Sequence, residues 1–233
     1  MARSSGPKVA LEGRLTASTH ARSRKNEANP RRRLPSSDRE KSIAAGAVSF
    51  FAEHGFEGQT RELAAKLGIT QPLLYRYFPS KEALIERVYQ EVFVGRWDPF
   101  WEELIADRGI PIEDRLVTFY NSYSKIILTP EWVRLFMFAG LKGLDFNARY
   151  LRLLRERILE LIVEEVRAAF GRPTAAEVPV SDVEVEMIWA LHASIFYLGV
   201  RQFIYHLPLN SSVPTIIKAK VKTLFGGIAE ILP

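Results

Sequence analysis

The stretch Thr60–Lys81, TRELAAKLGITQPLLYRYFPSK, reads as two short helices joined by a tight turn. Thr60 stands where a first helix needs a cap, Leu63, Ala64 and Leu67 form its apolar side, and Gly68 supplies a left-handed exit. Ile69 crosses the turn and Thr70 caps a second helix. Pro72 falls in the first turn of that helix, where a missing N–H costs nothing. Leu74 and Phe78, four residues apart, point inward and leave Gln71, Tyr75 and Tyr77 outside. Pro79 forces the stop, and Ser80 starts another helix. A helix this short cannot stand alone in water. Held on a scaffold, it suits the presentation of one face to a DNA major groove.

The residues before it supply the scaffold. Ser37 and Glu40 have capping-box spacing. Ile43, Ala44, Ala47, Val48, Phe50 and Phe51 follow as an apolar stripe at helical spacing, and Gly55 ends it with His54 in its last turn. Phe51, Phe56, Leu63, Leu67, Leu74 and Phe78 are the expected members of a minimal three-helix core. A plain bundle would not need exposed tyrosines and a glutamine on a helix begun by proline.

FFAEHGF at 50–56, followed by LAAKLGITQPLLYRYFPSKEAL at 63–84, resembles the DNA-binding domain of the tetracycline-repressor (TetR) family. Leu74-Tyr75-Arg76-Tyr77-Phe78 with Lys81 matches the family's L-Y-x-[HY]-F-x-x-K, and Gln71-Pro72 is similar to the start of the recognition helix in the tetracycline repressor itself. The link from Gly55 to Leu63 is one residue shorter than the commonest family pattern, so either Gln59 or Thr60 caps the second helix. The resemblance implies an all-α chain of about nine helices. A three-helix helix-turn-helix domain over 36–83 would precede a larger effector-binding and dimerisation domain over 84–233.

The net charge of +5 divides unevenly. Residues 1–35 hold nine basic residues against Glu12 and Glu27, whereas the remainder carries 23 basic and 25 acidic residues. Within 36–83 the signs balance at six each, so attraction to phosphates must come from the placement of a few charges or from the N-terminal segment. That segment is rich in Arg, Ser and Ala and too poor in apolar residues to fold alone, so it reads as a disordered basic arm. Three readings of it stay open: a solvated extension, an arm that tracks phosphates or a minor groove, and a transit peptide. The chain has no cysteine, which excludes disulfides, thiol catalysis and Cys-ligated zinc and suits the cytoplasm. No glycine-rich phosphate loop occurs, and Glu102-Glu103 and Glu164-Glu165 are adjacent pairs whose members splay to different helix faces. Neither an enzyme nor a cofactor or metal site is expected.

Beyond Ser80 the pattern is helical throughout. Helices are expected over Lys81 to Val94, from Phe100, over Ile112 to Leu128, over Glu131 to Leu141 and over Asp145 to Phe170. Ser181-x-x-Glu184 forms a second capping box and opens a helix to about His206 that is apolar nearly all round. Its longest apolar run, Met187–Val200, is too short to span a bilayer. A last amphipathic helix runs from Thr215 to Ile231. The resemblance implies that the C-terminal pair, within 181–231, packs against its two-fold copy in a homodimer, the symmetry that a palindromic operator requires.

The expected DNA-contact set is Thr60, Thr70, Gln71, Pro72, Tyr75, Arg76, Tyr77 and Lys81. Gln71 can pair with an adenine edge and Pro72 can pack on a thymine methyl. Thr60, Tyr75, Tyr77 and Lys81 are assigned to phosphates, and Arg76 to either a phosphate or a base. Aromatic residues between Trp97 and Phe203 suit a concave apolar site for a small hydrophobic effector. Its candidate lining is Trp101, Phe119, Tyr123, Trp132, Phe136, Trp189, His192 and Phe196, with each of these alternatively an ordinary core residue. The leading expectation is a repressor released from DNA by that effector. The other is a DNA-binding regulator without a small-molecule ligand, controlled by a protein partner or by abundance.

Overall fold

A computed structural model describes residues 35–232, which are helical with no strand among them. The expected basic arm over 1–35 therefore lies outside the described residues, save Pro35. Helix α1 (Ser36–His54) buries the predicted stripe and stops at Gly55, whose φ of 71° only glycine adopts without strain. The capping box expected at Ser37 and Glu40 is not formed. The helix starts two residues earlier, behind Pro35, and Glu40 instead pairs with Arg87 at 3.2 Å.

Helices α2 (Thr60–Lys66) and α3 (Gln71–Tyr77) are joined by the expected turn. Gly68 sits at φ 64° while its amide donates to the Ala65 carbonyl and the Ile69 amide to Ala64. Those two bonds complete a Schellman motif. Gln59 occupies the cap position of α2 and Thr60 opens the helix, which settles the alternative left by the short link. Thr70 accepts from the Leu73 amide to cap α3, and Ser80 accepts from Ala83 to cap α4 (Lys81–Tyr89). Helix α4 runs on through a π turn, Gln90–Val94, where the Gly95 amide reaches back to the Gln90 carbonyl at 2.7 Å.

Next come α5 (Phe100–Ala106), α6 (Ile112–Ile127) and α7 (Pro130–Lys142). Then α8 (Phe146–Leu154) continues through a second π turn, Arg155–Leu159, into α9 (Glu160–Ala169), giving the single long helix read from the sequence. Counted that way, the described residues hold ten helices rather than about nine. Helix α10 (Asp182–Phe203) begins at the expected Ser181–Glu184 capping box but stops before His206, which takes a left-handed φ of 55°. Helix α11 (Val213–Phe225) also ends early, at Gly226-Gly227, and a short 3-10 turn, Ile228–Glu230, follows.

Packing follows from the apolar faces. Helix α1 lies against α2, α4 and α7; α11 lies along α6; and α10 packs on α6, α7, α9 and α11. Helix α10 is long and apolar enough to cross a membrane by composition alone, yet half of its most apolar window is buried against neighbouring helices. Its start is pinned by Arg167, a fully buried guanidinium. Arg167 donates to both Glu184 carboxylate oxygens (2.6 and 2.7 Å) and to the carbonyls of Val178 and Pro179. This pairing holds the Glu184 carboxyl down at about 2.

Candidate nucleic-acid interface

Helix α3 buries only Leu74, and Phe78 tucks in just beyond it. Pro72, Tyr75 and Arg76 are exposed on its other side, while Gln71 and Tyr77 are half-buried. Tyr77 departs from the expected outside position because its ring packs against the core. Thr70 is exposed, with its hydroxyl engaged in the cap. Lys81 is half-buried and lines a surface cleft with Phe56, Glu82 and Phe146.

Thr60 is placed differently from its neighbours in the expected contact set. It is 7% exposed, and its hydroxyl lies 2.9 Å from the Tyr75 hydroxyl while accepting from Gln71 Nε2 at 3.0 Å. The first residue of α2 thus ties together two side chains of α3. A glutamine amide has two N–H donors and one carbonyl acceptor. With one N–H spent on Thr60, one donor and the acceptor remain, the pair that an adenine edge requires. Nothing in the spacing of the sequence reveals this link, since it depends on the angle at which α2 and α3 cross. Arg61, which sequence reasoning passed over, is exposed on the first turn of α2.

The unit is coupled to the rest of the chain by side chains from α7 and α8. Arg134 of α7 donates to the Ala52 and Glu53 carbonyls at the end of α1. Arg149 of α8 makes a two-pronged pair with Glu86 of α4 (2.8 and 2.9 Å) and lies 4.1 Å from the centre of the Tyr89 ring. Hydrogen bonds from Arg149 hold the Glu86 carboxyl below its ordinary range. Phe146 stacks among Phe56, Tyr89 and Phe93, so the α1–α2 link, α4 and α8 share one aromatic cluster. No local pattern signals these contacts, which join residues 53 to 90 positions apart.

Deeper in, the candidate effector residues meet as one network. Trp101 packs edge-on to Phe119 and Tyr123, Trp132 stacks on Phe136, and Phe196 touches both of the latter. His192 lies beside Tyr120, Tyr123 and Trp189. Trp101, Phe119, Tyr123 and Trp132 are buried, while Phe136, Trp189 and Phe196 are half-buried. Tyr123 and Tyr150 share a 2.7 Å hydroxyl contact, and burial pushes both phenols up. Three polar atoms in this apolar surrounding have no hydrogen-bond partner: Tyr120 Oη, Trp132 Nε1 and His192 Nδ1. Burial lowers His192 from 6.5 to about 4, so its ring is neutral at pH 7. Among the described residues no cluster of three or more His, Asp or Glu is placed to hold a metal.

Comparison with known proteins agrees with this layout. The family model described as "Bacterial regulatory proteins, tetR family" matches residues 43–88, from within α1 through most of α4. The curated HTH-type transcriptional regulator YdgC of Bacillus subtilis (strain 168), itself uncharacterised, is 33% identical over 75 residues. That region is 32% of this chain and 38% of YdgC's length. A TetR-like regulator from Rhodococcus sp. RHA1 has the same fold at 19% identity, with a TM-score of 0.62, 84% of this chain covered and 100% of the other. The fatty acid degradation regulator FadR from Bacillus halodurans aligns over 80% of this chain and 98% of its own at 17% identity, with a TM-score of 0.56. Residues 43–88 thus match the DNA-binding unit of tetR-family transcriptional regulators, and most of the chain shares the fold of solved TetR-like regulators.

Proposed function

We propose that this chain is a homodimeric repressor that reads a palindromic DNA site with α3 and leaves it when a small hydrophobic effector enters the aromatic interior. The observation that carries the DNA reading is the Thr60–Gln71–Tyr75 network. It orients the Gln71 amide in advance and keeps a donor–acceptor pair free for one adenine. Pro72 then meets a neighbouring thymine methyl. Tyr75, Arg76, Tyr77, Lys81 and the start of α3 at Thr70 serve the phosphates. Thr60 acts through the two side chains it holds.

The two-fold partner is a second copy seated on α10 and α11, within 181–231. Val183 and Tyr197 are large apolar residues left exposed on α10, with Tyr205 and Leu207 just beyond it. Sedimentation of wild type and Tyr197→Asp tests this seat. A shift of the variant to monomer supports it, and an unchanged dimer moves the interface elsewhere.

The effector reading rests on the three unpartnered polar atoms among the aromatic rings. An apolar molecule with one or two polar ends would satisfy them, and a fatty acyl chain is of that class; the related fold of FadR is described as a regulator of fatty acid degradation. Entry would press on Phe93 and Tyr150, and so on α4 and the Arg149–Glu86 pair. It favours release only if the expanded interior holds the two α3 helices at a spacing that DNA does not accept. The alternative, a regulator with no small-molecule ligand, is favoured by the close packing of the same rings: the cavities that open on this surface are lined by other residues. Selection of binding sequences from random duplexes, followed by a thermal-shift screen of lipophilic compounds with and without the selected DNA, separates the two. A compound that stabilises the protein and releases DNA supports the effector; stabilisation by none supports the alternative. A protein that selects no sequence at all overturns the DNA reading.

A further inference from the structure

On the flank of α9, the α5–α6 loop and the C-terminal turn of α9 line an open surface cavity of about 420 Å³ that the effector reading does not use. Two guanidiniums and one carboxylate meet in its lining. Arg115 is 3% exposed, and one of its terminal nitrogens donates to the Ile105 carbonyl and to Glu165 at 2.9 Å. Its Nε is buried with no hydrogen-bond partner. Arg108 donates to Glu165 through Nε and Nη2 (3.1 and 2.9 Å), with its side chain 61% exposed. A buried donor left unpaired is costly. The group carries one positive charge beyond what Glu165 neutralises.

The surroundings narrow the class of ligand. Helix α6 starts at the cavity rim behind Pro111 with no side chain capping it, so its free amides add positive potential. Glu113 and Asp114, exposed on the same turn, and Glu164, close enough to act on Arg108, oppose any large accumulation of negative charge. A monoanion fits this balance better than a dianion. The remaining walls, Ile110, Ile112 and Ala168 among them, are apolar or small. We propose that this cavity binds a small aliphatic monocarboxylate, its carboxylate on Arg108 and Arg115 and its alkyl chain along Ile110, Ile112 and Ala168. Arg108, the exposed member, turns from Glu165 to the ligand. The site is separate from the aromatic interior and independent of whether that interior takes an effector.

The test is calorimetric titration of the full-length chain with hexanoate, with hexanol and inorganic phosphate as comparison probes. Two variants avoid the buried arginine: Arg108→Gln removes the exposed charge, and Ala168→Leu fills the apolar wall while leaving every charge in place. Wild type is expected to bind one hexanoate per chain saturably, with hexanol and phosphate at least tenfold weaker and each variant weakening hexanoate at least tenfold. Lack of saturation with wild type overturns the site. Equal binding by both variants places the probe elsewhere and overturns it as well. Phosphate matching hexanoate overturns the monocarboxylate class. DNA binding by the Ala168→Leu variant stays at the wild-type level, so loss of this site and failure of the DNA reading are distinguishable.

Discussion

Helices α3 and α10 are built on opposite plans. Helix α3 has seven residues, one of them buried, and local signals fix both of its ends: Thr70 and Pro72 at the start, Pro79 after the stop. Helix α10 has 22 residues, buries nine and still leaves Val183 and Tyr197 outside. It owes its start to a buried ion pair with another helix rather than to its own sequence alone. The first helix is shaped by what it must leave uncovered, the second by what must still cover it. That contrast separates a surface that reads from a surface that assembles.

The strongest way to break the contrast is at the start of α10. Arg167→Met leaves Glu184 buried without its cation and should cost about 3–5 kcal/mol, measured by urea unfolding. A loss below about 1 kcal/mol would mean that α10 is positioned by its apolar face alone. Acid supplies the next test. His192 in the fold titrates near 4 rather than 6.5 because burial disfavours its charged form. The unfolded chain therefore takes up the proton first as pH falls, and stability declines between about 6.5 and 4. The loss is on the order of 3 kcal/mol at the lower end, and a His192→Phe variant should lack that slope. Equal slopes for the two proteins would place the acid sensitivity elsewhere.

Smaller effects belong to α3. Gln71→Ala should weaken binding to the preferred duplex by about 1–3 kcal/mol while leaving scrambled DNA unaffected. If both duplexes lose equally, the amide reads no base. Thr60→Val sharpens the point, since it keeps the shape and removes the hydroxyl that holds Gln71; it should lower specificity with little change in stability. Gly68→Ala, at φ 64° with open space around it, should cost about 1 kcal/mol by unfolding, the strain of a left-handed alanine.

The two helices were also unequally legible. Every signal for α3 lies within a dozen residues, so caps, proline and glycine place it to the residue. The Ser181–Glu184 box marked the start of α10 in the same way. What could not be read is what depends on distant partners. Glu40 abandons its capping box for Arg87, Thr60 turns inward to Gln71 and Tyr75, and Arg167 reaches Glu184 across a loop. Helices α10 and α11 end before the apolar pattern does, since apolar residues continue past both. Chain geometry at His206 and at Gly226-Gly227 ends each helix first.

The widened turn at Gln90–Val94 has a mechanical meaning of its own. Such a turn is an α-helix carrying one residue more than its pitch accommodates. Upstream of it, Leu84 and Val88 are buried beside α1; within it, Phe93 meets Trp132 and Tyr150. Deleting a single residue there would restore regular winding and swing one half of the rod about 100° against the other. The surplus residue therefore works as a phase adjuster, by which one continuous helix serves two neighbourhoods whose orientations do not match.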